Sequence, residues 1–371
     1  MKTENTKSDF FRLSIRWWGL ITAAGVVAGG VSLLGFFGSF NWFFDLCSHF
    51  RVQYFLGLSV VALLLLIPRK RTSAAIFGLL AAVNLIVILP LYFGGTNAPT
   101  SAGKPFRAML ANVNTENGSK TSVADAIRRF NPDVVVLEEV STQWLSDLGP
   151  ALSDYRYSRQ EPRDDNFGMA LFSRFPFTQA QVEYIGEAEV PSIMAEIETS
   201  QGKFTLLATH PLPPAGREYS RLRDDQLAQL PRWVHCQASP VLLLGDLNVS
   251  PWSSHFRHLL RESGLRDSLQ GRGVHPTWPT FNPLMRIPID HCLYSPGIEI
   301  VKRQTGPHVG SDHFPVIVDF VIRTNGVKAA IPNGSPLVEV NGDFMTPRNL
   351  CPQGGSLSNS KSPSVEVNTP A

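Results

Sequence analysis

Apolar residues are laid out along this chain in three ways. Residues 17–44 carry no charge, and "WWGLITAAGVVAGGVSLLGFFG" within them (17–38) is long enough to cross a bilayer as a helix. "VQYFLGLSVVALLLLI" (52–67) and "SAAIFGLLAAVNLIVILPLYF" (73–93) repeat the pattern. Trp17, Trp18, Trp42 and Tyr92 stand near the ends of these runs, where interfacial aromatics settle. A cleaved signal peptide is disfavoured, because its apolar core would be overlong and two more apolar stretches follow. From residue 106 the pattern breaks into short apolar runs. From 324 to 371 it lapses into Pro-, Ser-, Asn- and Gly-rich sequence that reads as a disordered tail.

The short runs predict strands at 107–113, 133–139, 168–174, 192–198, 203–210, 288–295, 298–303 and 314–321. In 192–198 the alternation puts Ile193, Ala195 and Ile197 on one face. "VLLLGDLNVS" (241–250) is an apolar strand that runs straight into Asp246 and Asn248. Helical spacing appears at 120–130, capped by Ser119 or Thr121 and stopped at Asn131 before Pro132. A second helix is expected over 217–234, with Tyr219, Leu222, Leu227, Leu230 and Trp233 facing the core and a break near Pro231. A third covers about 253–263 and ends at Gly264. Many half-buried strands and few helices imply two packed sheets with helices outside. Residues 97–105 read as a linker between a membrane anchor (1–96) and this domain (106–323).

Charge changes the picture by giving the anchor a direction. Residues 1–96 hold eight Lys/Arg against three Asp/Glu, which leaves −3 on the rest of a chain whose net charge is +2. The domain therefore lacks the basic excess of a general nucleic-acid binder. Four basic residues precede the first span, and Arg69-Lys70-Arg71 lies between the second and third. Three spans with both basic segments in the cytoplasm put everything after about residue 97 on the far side. The expected location is a multi-pass protein of a cell inner membrane, with a periplasmic or extracellular domain. Cys47, Cys236, Cys292 and Cys351 have no metal-type spacing. Cys236 and Cys292 are expected as buried free thiols, with a bridge between them as the alternative.

The chemistry lies at the strand ends. Asn112, Glu139, His210, Asp246 with Asn248, Asp290, and Asp312 with His313 place amides, carboxylates and imidazoles there, as if toward one cleft. A strand-terminal Asp is commonly a turn residue and a single His commonly structural; the recurrence is what departs from that. Oxygen ligands without Cys suit Mg²⁺ or Mn²⁺, and a hard cation beside His–Asp pairs suits phosphoryl transfer.

The ordered set "LANVN", "DVVVLEEV", "LLATHP", "LLLGDLN", "PIDHCL" and "GSDHFPV" resembles the endonuclease/exonuclease/phosphatase superfamily over roughly 106–322. The resemblance implies an α/β fold, a four-layer α/β/β/α sandwich of two mixed sheets, here preceded by transmembrane helices. It implies a metal held by Asn112, Glu139 and Asp312, with Mg²⁺ as cofactor and Mn²⁺ as substitute. The family's Leu-Gln-Glu motif reads Leu137-Glu138-Glu139 here. The resemblance gives Asp246 the attacking water, Asn248 and His210 the phosphate, and His313, oriented by Asp290, the phosphoryl oxygens. Asn114 replaces an Asp common in apurinic endonucleases, which argues against base-excision repair. Arg217, Arg221 and Arg223 are read either as phosphate contacts or as an exposed helix face. Trp278 and Phe281 are read as cleft lining or as packing.

The expected function is hydrolysis of phosphodiesters, in preference to phosphomonoesters, by in-line attack of water. The expected substrate is a nucleic acid or a lipid or inositol phosphoester. The expected contacts are substrate and bilayer, with no protein partner. The alternative is a catalytically inactive, membrane-tethered binding or sensing domain of the same fold.

Overall fold

A computed structural model describes residues 17–95 and 103–323, and the backbone of 338–340 and 343–345. Most of the linker and of the tail expected to be disordered lies outside the described residues. Within the tail span, Val338–Val340 pairs antiparallel with Asp343–Met345.

The N-terminal part is helical. α1 (Trp17–Leu34) runs on through a short 3₁₀ turn to Phe37, and α2 (Trp42–Ser48) starts where the Asn41 side chain accepts from Phe43 N–H. α3 (Arg51–Leu66) and α4 (Arg71–Ile88) form a hairpin, and a 3₁₀ turn extends α4 to Tyr92. Two helices, Trp17–Phe37 and Arg71–Tyr92, are long and apolar enough to cross a membrane. α3 reaches that length only together with α2, across a 66° bend. Val26, Val27, Leu63, Leu79 and Ile86 point outward, as lipid-facing residues would. Between helices, a Cβ on Gly25 would lie 2.8 Å from Phe77 and Val61, so glycine permits the close approach.

The remaining elements are β1 (Phe106–Asn112), α5 (Lys120–Phe130), β2 (Val134–Glu138), α6 (Thr142–Leu152), β3 (Tyr157–Glu161), β4 (Met169–Ser173), β5 (Phe177–Tyr184), β6 (Pro191–Thr199), β7 (Gly202–Thr209), α7 (Arg217–His235), β8 (Val241–Asp246), α8 (Ser254–Ser263), β9 (Arg266–Asp267), β10 (Asp290–Tyr294), β11 (Ile298–Thr305) and β12 (Val316–Ile322). One sheet has the order β11-β12-β1-β2-β4-β3 and the other β5-β6-β7-β8-β10-β9. Each is mixed: β1–β2 and β7–β8 are parallel and the other neighbours antiparallel. The apolar faces meet in one core that includes Leu110, Val136, Ile193, Ala195, Ile197, Leu244 and Val318. α5 and α6 cover the outer face of the first sheet around Ile127 and Trp144, and α7 and α8 that of the second around Leu230 and Phe256. The result is the expected α/β/β/α sandwich.

Some local expectations are corrected. α7 passes through Pro231 without a break. Tyr219 on that helix is exposed, whereas Leu227, Leu230 and Trp233 are buried. Ser119 precedes α5, yet its side chain makes no capping bond. Cys292 is a buried free thiol, which excludes a 236–292 bridge, and Cys236 is disulfide-bonded rather than free. α6, β3 and β5 are not among the expected elements, although α6 buries Trp144, Leu148 and Leu152 at helical spacing. β3 and β5 are half-exposed edge strands, where burial does not enforce alternation.

Candidate functional site

The sheet registers bring the polar strand ends to one edge of the sandwich. In the first sheet Asn112 lies opposite Glu138, and in the second Asp246 lies opposite Asp290. Asp290 opens β10, and Asp312 and His313 precede β12. These strands run antiparallel to β8 and β1, so their beginnings meet the other strands' ends. Gly245 lets β7 and β8 close up here, because a Cβ would sit 1.9 Å from Thr209 O.

All eight residues singled out from the sequence fall into one connected network. Asn112 Nδ2 donates to Glu139 Oε1 at 2.8 Å and reaches Asp246 Oδ2 at 3.5 Å. Asp246 Oδ2 lies 3.7 Å from His210 Nε2 and 3.6 Å from His313 Nε2. His313 Nδ1 lies 3.0 Å from Asp290 Oδ2. Asn248 N–H donates to Asp246 Oδ1, and its amide reaches His210 Nε2 at 3.4 Å and Pro211 O at 3.0 Å. Asp312 joins through Asn114, whose Nδ2 donates to Asp312 Oδ1 while its N–H donates to Asn112 Oδ1. Asn112, His210, Asp246, Asp290 and His313 form a buried floor, and Glu139, Asn248 and Asp312 a half-buried rim. Asn114, Glu139 and Asn248 each adopt a left-handed backbone, with φ of 58°, 58° and 53°. For residues other than glycine this costs about 1 kcal/mol or more each and persists only where neighbours enforce it.

The site is short of positive charge. Burial raises the Asp246 carboxyl well above its usual range, with the Asp290 charge adding to the effect and His313 opposing it. Burial likewise raises Glu139, against the Asn112 amide. Burial alone would lower His313, but Asp290 and Asp246 outweigh it and push the imidazolium up to about 10. Asp290 is held below its usual range by that same contact despite burial. Burial, with the His313 charge, lowers His210 to about 3, which leaves a neutral ring.

Sequence reasoning assigned no role to Thr277 and none of its own to Glu138. Glu138 is fully buried, and its Oε2 accepts from Asp246 N–H at 3.1 Å. Burial and then the Asp246 and Asp290 charges push its carboxyl well above 4.5. Thr277 Oγ1 accepts from the N–H of both Ile289 and Asp290, which fixes the start of β10. Trp278 lines the rim, donating from Nε1 to Asp312 Oδ2 at 2.9 Å, whereas Phe281 is 77% exposed. Arg217 and Arg221 lie on the exposed face of α7, Arg221 held by Glu187 and Glu218. Arg223 is neither exposed nor in the cleft: it is fully buried behind the site and donates to Asn248 O at 3.2 Å. Only the doubled Glu after an apolar strand and "TWPTF" carried any sequence signal of these roles.

A cation would fit the residues present. Asp246, Asp290 and His313 offer ligand atoms within 4.8 Å of one another. That group is not the Asn112, Glu139 and Asp312 set read from the sequence, whose members are held in hydrogen bonds of their own. In both groups oxygen donors dominate and no thiolate takes part, which selects a hard divalent ion.

A two-sheet sandwich with an acidic and imidazole cleft at one edge defines a class of phosphoester hydrolases, and comparison with known proteins places the chain within it. Residues 109–313 match the model of the Endonuclease/Exonuclease/phosphatase family, and the chain belongs to that family. Its members hydrolyse phosphoester bonds and depend on divalent metals. A search by sequence finds no curated relative. Among solved structures, an endonuclease/exonuclease/phosphatase from Bacteroides vulgatus is 18% identical with a TM-score of 0.51, covering 59% of this chain and 100% of its own. One from Beutenbergia cavernae is 19% identical at a TM-score of 0.50, covering 59% and 72%. D. rerio TDP2, solved with a single-strand DNA product, is 17% identical at 0.50, covering 59% and 100%. At these identities the likeness is one of fold.

Proposed function

We propose that this protein is a membrane-anchored, Mg²⁺-dependent phosphodiesterase whose catalytic domain lies outside the cytoplasm. The observation that carries the reading is the single buried network joining Asn112, Glu139, His210, Asp246, Asn248, Asp290, Asp312 and His313. Glu139, Asp312 and the Asn112 amide would hold the ion, which would neutralise the phosphate charge. Asp246 orients the attacking water and accepts its proton. His210 and Asn248 face the phosphoryl oxygens from one side and His313 from the other, where negative charge develops. Asp290 holds the His313 ring through Nδ1. An inactive binding domain would be expected to have lost a carboxylate or imidazole from such a set, and here each is present.

The contacts between the helices and the domain support the orientation. α2, the start of α3 and the end of α4 all touch the domain: Asp45 bonds Arg223, Gln53 bonds Arg286 O, and Leu91 O accepts from Gly273 N–H. Arg69-Lys70-Arg71 stands a full helix away, at the other end of α3 and α4. A positively charged turn on the opposite side matches retention in the cytoplasm.

Between substrate classes, a lipid phosphoester is favoured over nucleic acid. The loop after Trp278 exposes Phe281 and Leu284 at 77% and 81%, and Arg286 ties its far end to Gln53 at the head of α3. An apolar loop that starts at the cleft and ends at a membrane helix suits a bilayer surface better than a polyanion. The test uses full-length protein with Mg²⁺ on bis-p-nitrophenyl phosphate, DNA, and phospholipid and sphingomyelin vesicles, with EDTA and Asp246→Asn as controls. Lipid turnover lost in both controls is the expected result. Turnover of DNA alone would reject the lipid class, and no turnover of any substrate would reject the enzyme.

A further inference from the structure

Asn248 is held in a left-handed conformation within a short loop, Leu247 to Ser250, between β8 and α8. Such a backbone needs neighbours that fix it. From the domain side, Asp246 Oδ1 accepts from Asn248 N–H at 2.9 Å and His291 Nε2 donates to Val249 O at 2.8 Å. The other holders trace to the helical anchor. Arg223 donates through NH1 to Asn248 O at 3.2 Å, and its NH2 donates to Asp45 Oδ2 of α2 at 2.8 Å. Both members of this ion pair are fully buried. Ser253 Oγ donates to the other Asp45 oxygen at 2.7 Å, and Asp224 completes the guanidinium's partners. Two residues along the same loop, Ser250 N–H donates to His49 Nδ1 at 3.3 Å and Ser250 Oγ lies 2.9 Å from it. Of the four side chains that grip this loop, one belongs to the N-terminal helices and a second is held by them.

We propose that the segment between the first two membrane helices is a structural part of the active site. Asp45, acting through Arg223, and His49, acting through Ser250, are positioning residues that hold Asn248 where it can meet substrate. The proposal rests on the reading of Asn248 as a site residue. It makes docking of the domain on its anchor a condition of full activity. The geometry favours this over a purely adhesive role: the polar contacts of α2 and the following His49, to Arg223, Ser253 and Ser250, all lie on or beside the loop after Asp246, whereas α3 and α4 dock elsewhere on the domain.

The test is steady-state kinetics on bis-p-nitrophenyl phosphate with the full chain in detergent micelles, with thermal melting as the check on folding. Asp45→Asn and Arg223→Gln should each lower kcat roughly 10- to 100-fold, the cost of a misplaced catalytic group, with KM within about twofold. Because Asp45 acts through Arg223, the double variant should lose no more than Arg223→Gln alone. Asp45→Glu should recover part of the loss. His49→Leu should lower kcat, whereas His49→Asn, which keeps an acceptor in place of Nδ1, should not. If removing a partner of the buried pair prevents folding, the two His49 variants decide. Folded Asp45→Asn and His49→Leu proteins with wild-type kcat would overturn the proposal while leaving the phosphodiesterase reading intact. A wild-type chain without metal-dependent turnover would instead remove that reading, and this proposal with it.

Discussion

Glu138 gives the sharpest test of the site's electrostatics. It is fully buried and lies against Asp246 and Asp290, and burial with these charges outweighs the His313 charge, so its carboxyl holds its proton well above the usual 4.5. Glu138→Gln then replaces a neutral acid by a neutral amide of the same shape, and the amide oxygen can still accept from Asp246 N–H. Gln is also what the family motif carries at this position. Activity with Mg²⁺ should stay within about threefold of wild type, since no charge made only in the transition state is lost. Stability should rise, in a pH-dependent way. Above 4.5 the unfolded glutamate releases its proton while the folded one keeps it. The wild-type contribution is therefore fully present below 4.5 and is lost as pH climbs toward the folded pKa. Glutamine does not titrate, so in EDTA the gap between variant and wild type should widen by ~1.4 kcal/mol per pH unit. Melts from pH 5.5 to 7.5 read that widening through Tm, which moves about 2–4 °C per kcal/mol in a domain of this size. Glu138→Ala should instead strand the Asp246 N–H beside a cavity and cost roughly 2–5 kcal/mol relative to Glu138→Gln at every pH, since neither side chain titrates. Thermal melting of the three proteins across that range, with kcat in Mg²⁺, makes the comparison. A pH-independent gap, or a Glu138→Gln variant with more than about tenfold lower kcat, would show an ionised, working Glu138 and refute the argument.

In the same site, Asp246→Asn and His313→Ala should each lower kcat on the order of 10²–10⁴-fold, and the double variant should lose less than the product. Asp290→Asn should cost less than His313→Ala, because the ring stays in place; folded single variants of Asp246 and His313 within about threefold of wild type would point to a binding fold. His291 is buried neutral, its pKa lowered from 6.5 to about 4 by burial, so its stabilising effect is whole above 6.5 and lost as pH falls toward 4. That loss is worth ~3 kcal/mol, and His291→Gln should flatten the acid side of the Tm–pH curve accordingly; an unchanged curve would contradict it. Alkaline phosphatase fused after residue 100 should be active and green fluorescent protein fused there dark, and the reverse pattern would invert the topology.

The sequence by itself determined the elements that carry a strong period and the residue types that carry the chemistry. Apolar stretches of about 20 residues announce the helices that could span a membrane, because only burial in lipid or core tolerates them. Apolar strands ending in Asn112, Glu139, His210, Asp246 and Asn248 announced a shared cleft, because alternation and strand ends are local properties. Local pattern does not carry the energetic state of a group. Whether Glu138 is ionised, whether His313 holds its proton to about 10, and whether Arg223 meets solvent or Asp45 depend on what packs around each from distant parts of the chain. Arg223 is the clearest case: its spacing on α7 fits an exposed face, yet the N-terminal helices cover it, through a partner 178 positions away. The same holds for Pro231, which the helix absorbs because packing of Leu230 and Trp233 into the core outweighs the lost hydrogen bond. Strand order, the meeting of antiparallel strand beginnings with parallel strand ends, and the docking of the N-terminal helices behind Asn248 were decided only by the tertiary structure. They are contacts between residues far apart in sequence, and their free energies come from burial and charge pairing that no short window of sequence contains.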